Sequence, residues 1–235
     1  MVILGIESSA QSSSAAIVKD GKMLSEMFLN VGLTHSVTLM PLIRKAVEGA
    51  ELAIKDIDAV AVSNGPGSFT GVRIGVSTAK GIAQPENKKC MPVSTLEAIA
   101  YPLTDSECIA VSVMDARCKQ VYCALFDCKN AQMTRITQDD AISLDSLRDI
   151  LNTYDKKKVL IGDGADIAYD YLMNDVADLY KASPAIKYQK ASSVALLAEK
   201  MINDGMECVS SNDLVPSYLR LSQAERELKK KKENE

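Results

Sequence analysis

The sequence holds no tryptophan, three phenylalanines and a single histidine in 235 residues. With His35 alone, a histidine pair cannot hold a metal ion. A serine-protease triad would need that one imidazole beside a serine and an acid, and nothing in the spacing supports it. No apolar run reaches the ~18 residues of a helical membrane span. The opening MVILGIESSAQSSSAAI lacks a basic stretch, and its apolar run is too short for a signal peptide. Positive charge is not in excess either. Lys and Arg number 27 against 31 Asp and Glu, a formal net charge of −4, so no bulk field recruits nucleic acid, and a role on RNA would take most phosphate contacts from another chain. Cys90, Cys108, Cys118, Cys123, Cys128 and Cys208 form no C-x-x-C pair. They read as small buried hydrophobes in a reducing cytoplasm, with Cys123 facing opposite to Cys118 and Cys128 on one strand.

What is present is a chain 47% hydrophobic, long enough for a sizeable core. VILGIES (2–8) reads as a buried strand, and Asp20-Gly21 as the turn of a following hairpin. A helix is expected over 36–50, with Leu39, Met40, Ile43, Ala46, Val47 and Ala50 on one face and Pro41 tolerated near its start. IDAVAVS is a second buried strand, followed by a helix over 71–84. MPVSTLEAIAYPL (91–103) reads as strand then helix, capped by Ser94 or Thr95. After CIAVSVMDA, KQVYCALFDC and AQMTRITQ come the helix SLDSLRDILNTY, the strand KVLIGDGAD and a helix over 165–174. The order strand-strand-strand-helix-strand-glycine turn-helix thus occurs twice, about 100 residues apart. Two related α/β domains are expected: 1–103, carrying any partner-binding helices, and 104–235. The second ends in a charged tail with lysines at 229–232, and its last helix, over 192–204, has the option of packing back on the first domain.

NGPGSFTGVRIG (64–75) sits where a phosphate loop would. It lacks the lysine and hydroxyl residue that follow the last glycine of a Walker loop, and Gly65, Gly67 and Gly71 are spaced G-x-G-x-x-x-G, not as a Rossmann fingerprint. The helix that follows is more informative. Arg73, Ser77, Lys80 and Gln84 form a narrow polar stripe, and nearly everything else is small or apolar, wider than one sheet covers. Gly71, Gly75, Thr78 and Ile82 make a flat strip for a second helix, from this chain or another. Helical glycines cost about 1 kcal/mol each relative to alanine, so close packing has to offset them. On this reading Gly75→Leu spares the fold and abolishes docking.

GPGSFTGVRIGVSTAKGIA (65–83) closely resembles the signature of the TsaB family, the dimerisation subunit of the bacterial tRNA threonylcarbamoyladenosine machinery. ILGIESS, THSVTLMPLI (34–43), VSTLEAIA (93–100), VMDARCKQVYCALF (113–126) and PSYLRLSQAERE (216–227) extend the similarity along the chain. The resemblance implies an α/β fold of two duplicated domains of the sugar-kinase/actin (ribonuclease H-like) superfamily. It further implies a non-catalytic, cytoplasmic subunit that binds the catalytic paralogue TsaD, with a TsaE-like ATPase joining. That assembly transfers threonylcarbamoyl to the adenosine next to the tRNA anticodon. By position, the helices over 36–50 and 71–84 carry the contact, with His35, Leu39, Met40, Ile43, Val47, Gly71, Val72, Gly75, Thr78, Ala79 and Ile82 as candidate partner-binding residues. No metal and no cofactor of its own is expected, with ATP or ADP at the partner interface. A homodimer is expected when the partner is absent.

Two rival readings use other residues. An autonomous ATP-dependent phosphotransferase would draw on Glu7, Asp115 and Asp163 at strand ends. Its nucleotide or anion set would be Glu7, Ser8, Ser9, Gly65, Gly67, Ser68, Thr70 and Asp115. Glu7 stands where kinases of this superfold carry aspartate, and GDGAD (162–166) is a short turn for an adenosine motif. A peptidase is the weaker rival.

Overall fold

The computed structural model describes residues 1–117 and 119–220. The first half runs β1 (Val2–Glu7), β2 (Ser13–Lys19), β3 (Lys22–Leu29), α1 (His35–Gly49), β4 (Ala59–Gly65), α2 (Phe69–Ala83), β5 (Lys89–Ser94) and α3 (Thr95–Ala100). The second runs β6 (Cys108–Asp115), β7 (Gln120–Lys129), β8 (Gln132–Arg135), β9 (Asp140–Ser143), α4 (Leu144–Leu151), β10 (Lys158–Ile161), α5 (Ala165–Leu172), β11 (Leu179–Lys181) and α6 (Ala191–Asn203).

The first sheet has the order β3-β2-β1-β4-β5, the second β8-β7-β6-β10-β11. In each, an antiparallel meander of three strands leads to two parallel strands beside the first. This is the duplicated α/β arrangement expected from the sequence, two sheets of like strand order in succession along the chain. The one irregularity against the expected order is a divided third strand in the second sheet. β7 is ten residues long, and β9 pairs with its first half while β8 pairs with its last.

Alternation along β1 explains the layers. Leu4 and Ile6 join Leu39, Ile43, Val72 and Val76 in a core beneath α1 and α2, while Ile3 faces Val194, Ala195 and Leu197 of α6 on the other side. A sheet buried on both faces needs such unbroken apolar strands. The helix α6, late in sequence, therefore lies on the first sheet. It comes so close that a Cβ on Gly5 would overlap the Ala191 carbonyl. Its N-terminal amides are met by the first sheet's own side chains: Ala191 N donates to Ser14 Oγ at 2.8 Å and Ser192 N to Glu26 Oε1 at 2.9 Å. The Gly21 amide donates in turn to Glu199 at 2.7 Å. Ser94 caps α3, accepting from Glu97 N. Cys123 and Cys128 lie in cores on opposite faces of β7, and Cys90 and Cys108 are buried as free thiols. Cys118 and the lysines at 229–232 lie outside the described residues.

Candidate functional site

Residues 8–12, the short turn leaving β1, organise everything above them. Glu7 is fully buried at the end of β1. One carboxylate oxygen accepts from Ser9 N and Ser9 Oγ, both at 2.6 Å, and the other accepts from Ser63 Oγ at the end of β4. Burial pushes the carboxyl above its ordinary range, although all three hydrogen bonds pull the other way. Fixed in this way, the turn presents the Ser9 carbonyl to Ser68 N at 2.6 Å, and Ser8 Oγ donates to Gly71 O at 2.9 Å. Ala10 O accepts from His35 Nε2 at 2.7 Å, which ties the start of α1 to the same turn.

The glycines of NGPGSFTGVRIG serve these contacts. A Cβ on Gly67 would come to 2.9 Å from Ser9 Cβ, one on Gly71 would overlap Ser8 O, and one on Gly75 would stand 2.5 Å from Ser8 Oγ. Gly65, at φ +129°, carries the residues that follow Leu214 pressed against its other side, and a Cβ there would overlap the Ser217 carbonyl. This corrects the expectation that Gly71 and Gly75 flatten α2 for a second helix from outside. They seat α2 on the chain's own first turn, so Gly75→Leu has to displace Ser8 or α2, and its cost falls on the fold as well as on docking. Four amides around the loop are engaged by the chain itself, which leaves fewer donors for a phosphate. Ser9 N serves Glu7, Ser68 N serves Ser9, Gly71 N serves Ser68 Oγ and Val72 N serves Ser68 O. Of the candidate anion set, Glu7, Ser8, Ser9 and Gly65 are buried, Gly67 is half-buried, and Ser68, Thr70 and Asp115 are exposed.

The partner-binding candidates divide by helix phase. Leu39, Ile43, Val47, Val72 and Ala79 lie in the core beneath α1 and α2, buried by the chain's own sheet. The stripe they share points inward, so they are corrected from contact residues to core residues. Met40 is exposed, and His35, Thr78 and Ile82 are half-buried. Reading the sequence missed Val31, Leu33 and Val37. With Met40 they form a run of large apolar side chains in water, at 65%, 59%, 67% and 52% exposure. Their signal was available: Val37 and Met40 stand three apart, off the phase of the inward stripe.

Between the sheets lies an open cleft of about 750 Å³. Ser9, Gly67, Ser68 and Thr70 line one side and Asp115, Arg117, Tyr122 and Asp163 the other, with residues 217–220 along the rim. Burial raises the Asp163 carboxyl, against the hydrogen bond from Gln189, and the Asp115 charge adds to the rise. Residues 217–220 join the two sides. Ser217 N donates to Asn64 O at 2.7 Å, Tyr218 stacks on Phe69 with centroids 4.6 Å apart, and Arg220 donates to Ala116 O at 3.0 Å. Among the described residues, no group of three or more His, Cys, Asp or Glu side chains is placed to hold a metal ion. No helix among them is long and apolar enough to cross a membrane.

The fold is shared with known structures. A Pseudomonas aeruginosa protein described as similar to the peptidase YeaZ superposes with a TM-score of 0.80 at 24% identity, over 93% of this chain and 99% of its own. Component A of the Acidaminococcus fermentans (R)-2-hydroxyglutaryl-CoA dehydratase follows at 0.51 and 14%, over 86% and 99%. In sequence, the Bacillus subtilis tRNA threonylcarbamoyladenosine biosynthesis protein TsaB is 28% identical over 96% of both chains. The tRNA N6-adenosine threonylcarbamoyltransferase of Phocaeicola vulgatus is 31% identical over 45% of this chain and 36% of its own. The model of the family described as TsaD, tRNA N6-adenosine threonylcarbamoyltransferase, matches residues 30–228. With that model matched over residues 30–228 and similarity to TsaB along nearly the whole chain, the chain belongs to the TsaB/YeaZ group of the family described as TsaD.

Proposed function

We propose that this chain is a non-catalytic scaffold subunit. It binds a TsaD-like catalytic paralogue through the outer faces of α1 and α2 and so supports threonylcarbamoyl transfer to the adenosine adjacent to the tRNA anticodon. The observation that carries this is the exposed apolar run Val31, Leu33, Val37 and Met40. Fully burying one such side chain contributes roughly 1.5–3 kcal/mol, so the surface gains from a cover. Thr78 and Ile82, half-buried on α2, continue it. Similarity to TsaB supports the choice of cover: a paralogue of like fold presents like helices.

A TsaE-like ATPase joins this assembly, and tRNA reaches the chain only through it. Four amide donors at the loop, those of Ser9, Ser68, Gly71 and Val72, are engaged within the chain itself. This favours the partner interface, over the loop of this chain, for any ATP or ADP in the assembly, and it weakens the phosphotransferase reading. Without its partner, the chain covers the same face by forming a homodimer. Co-expression with the cognate catalytic paralogue, followed by size-exclusion chromatography and an assay of restored tRNA modification, tests the proposal. Co-elution and modification are expected, and separate elution under all nucleotide conditions would overturn it.

A further inference from the structure

Leu214 is buried in the core beneath α1 and α2, and the residues after it run from that anchor to the second half of the molecule. The segment takes up the polar stripe of α2. Lys80 Nζ donates to Asn212 O at 3.2 Å, Arg73 Nε donates to Tyr218 Oη at 2.8 Å, and the Tyr218 ring stacks on Phe69. Asn64, at the end of β4, bonds to it twice. Its Nδ2 donates to Val215 O at 3.2 Å, and its carbonyl accepts from Ser217 N at 2.7 Å. Arg220 then donates to Ala116 O, between β6 and β7. Among the described residues, this is the one hydrogen bond from residues 215–220 to the second half.

Val215, Tyr218 and Leu219 are exposed, so the far end of the segment is held by a few contacts in water, while Leu214 fixes its near end. The base of the cleft is the opposite case. Ala10 and Met114, which line it, belong to a core that both halves build with Leu96, Ile99, Ala110 and Phe126. A packed base and a lightly held rim are the parts of a hinge with a latch, because local opening concentrates where buried apolar contact is sparse. We propose that residues 215–220 are this latch, and that their release from Ala116 and Phe69 lets the two sheets part about the shared core. Ser217, Tyr218, Leu219 and Arg220 line the cleft themselves, so the latch also controls entry to it.

Two readouts on the full chain test this. Hydrogen exchange compares the Ser217 amide, bonded to Asn64 O, with the Val72 amide, bonded to Ser68 O in the first turn of α2. The Ser217 amide is expected to exchange roughly tenfold faster or more. Pulsed electron–electron resonance between nitroxides on Thr70→Cys and Ile167→Cys, exposed positions in the first and second halves, reads the width of the cleft. Changing Cys118 and Cys208 to serine confines the labels to those sites, since Cys90, Cys108, Cys123 and Cys128 are buried. The natural latch should give one narrow distance distribution. Tyr218→Ala together with Arg220→Ala should add a longer distance, and Arg220→Lys, which keeps a donor, should retain the narrow one. Arg220→Ala alone leaves every contact with the first half in place, and serves if the double variant fails to fold. Distances unchanged in these variants, or a Ser217 amide no faster than that of Val72, would overturn the latch. No paralogue takes part, so failure here is separable from failure of the scaffold role.

Discussion

A Cβ on Gly75 would stand 2.5 Å from the Ser8 hydroxyl oxygen, so α2 is seated directly on the first turn of the chain. Ser8 in turn donates to Gly71 O, and Ser9 O receives Ser68 N. The glycine-rich signature is thus the upper half of an internal joint. Its lower half is the serine turn held by Glu7.

This joint distinguishes two glycines of one helix. Gly75→Ala forces Ser8 or α2 to move and should cost about 1–3 kcal/mol, the range for overpacking a tight site. Gly81 is exposed and a Cβ there meets nothing within 4 Å, so Gly81→Ala should gain up to about 1 kcal/mol from helix propensity. Urea unfolding of the two variants checks both signs.

Glu7 should make stability depend on pH. Its carboxyl holds a proton more readily in the folded chain than in the unfolded one. Its contribution is therefore fully present below the ordinary carboxylate value and is lost as pH rises through the raised folded value. Glu7→Gln removes that titration. The variant should gain on the natural chain as pH climbs through this window, then hold a constant difference. Unfolding curves from acid to neutral pH test it, and a difference independent of pH would count against it.

Glu26 of β3 caps a helix more than 160 residues away in sequence, accepting Ser192 N at 2.9 Å. Losing a carboxylate at a helix N-terminus typically costs about 1 kcal/mol. Glu26→Ala should lower stability by that amount. Hydrogen exchange should quicken first in the opening turn of α6.

Much of the fold was legible because each strand is a short apolar run closed by a turn residue. Asp20-Gly21 closes the first hairpin with both residues at positive φ, and the helix expected over 36–50 is His35–Gly49. The inward face of α2 was not legible. A helix apolar nearly all round has no phase that a wheel assigns. What decides it is Ser8, 63 residues before Gly71. The apolar stripe of α1 is plain in the sequence, yet it faces inward, because Leu39 and Ile43 are the residues its own sheet buries. Sequence periodicity marks a buried face without naming what buries it. The residues at 217–220 match a motif and yet carry no role until Tyr218 is seen stacked on Phe69.

On the proposed role, Val31, Leu33, Val37 and Met40 are a docking face and not merely exposed. Isothermal titration of the cognate catalytic paralogue with the natural chain and with Met40→Asp tests this most directly. Met40 is exposed, so the variant should unfold at nearly the same temperature, while its affinity falls at least tenfold, as for an anchor in an apolar interface. Equal affinity of the two chains for the paralogue would contradict the account.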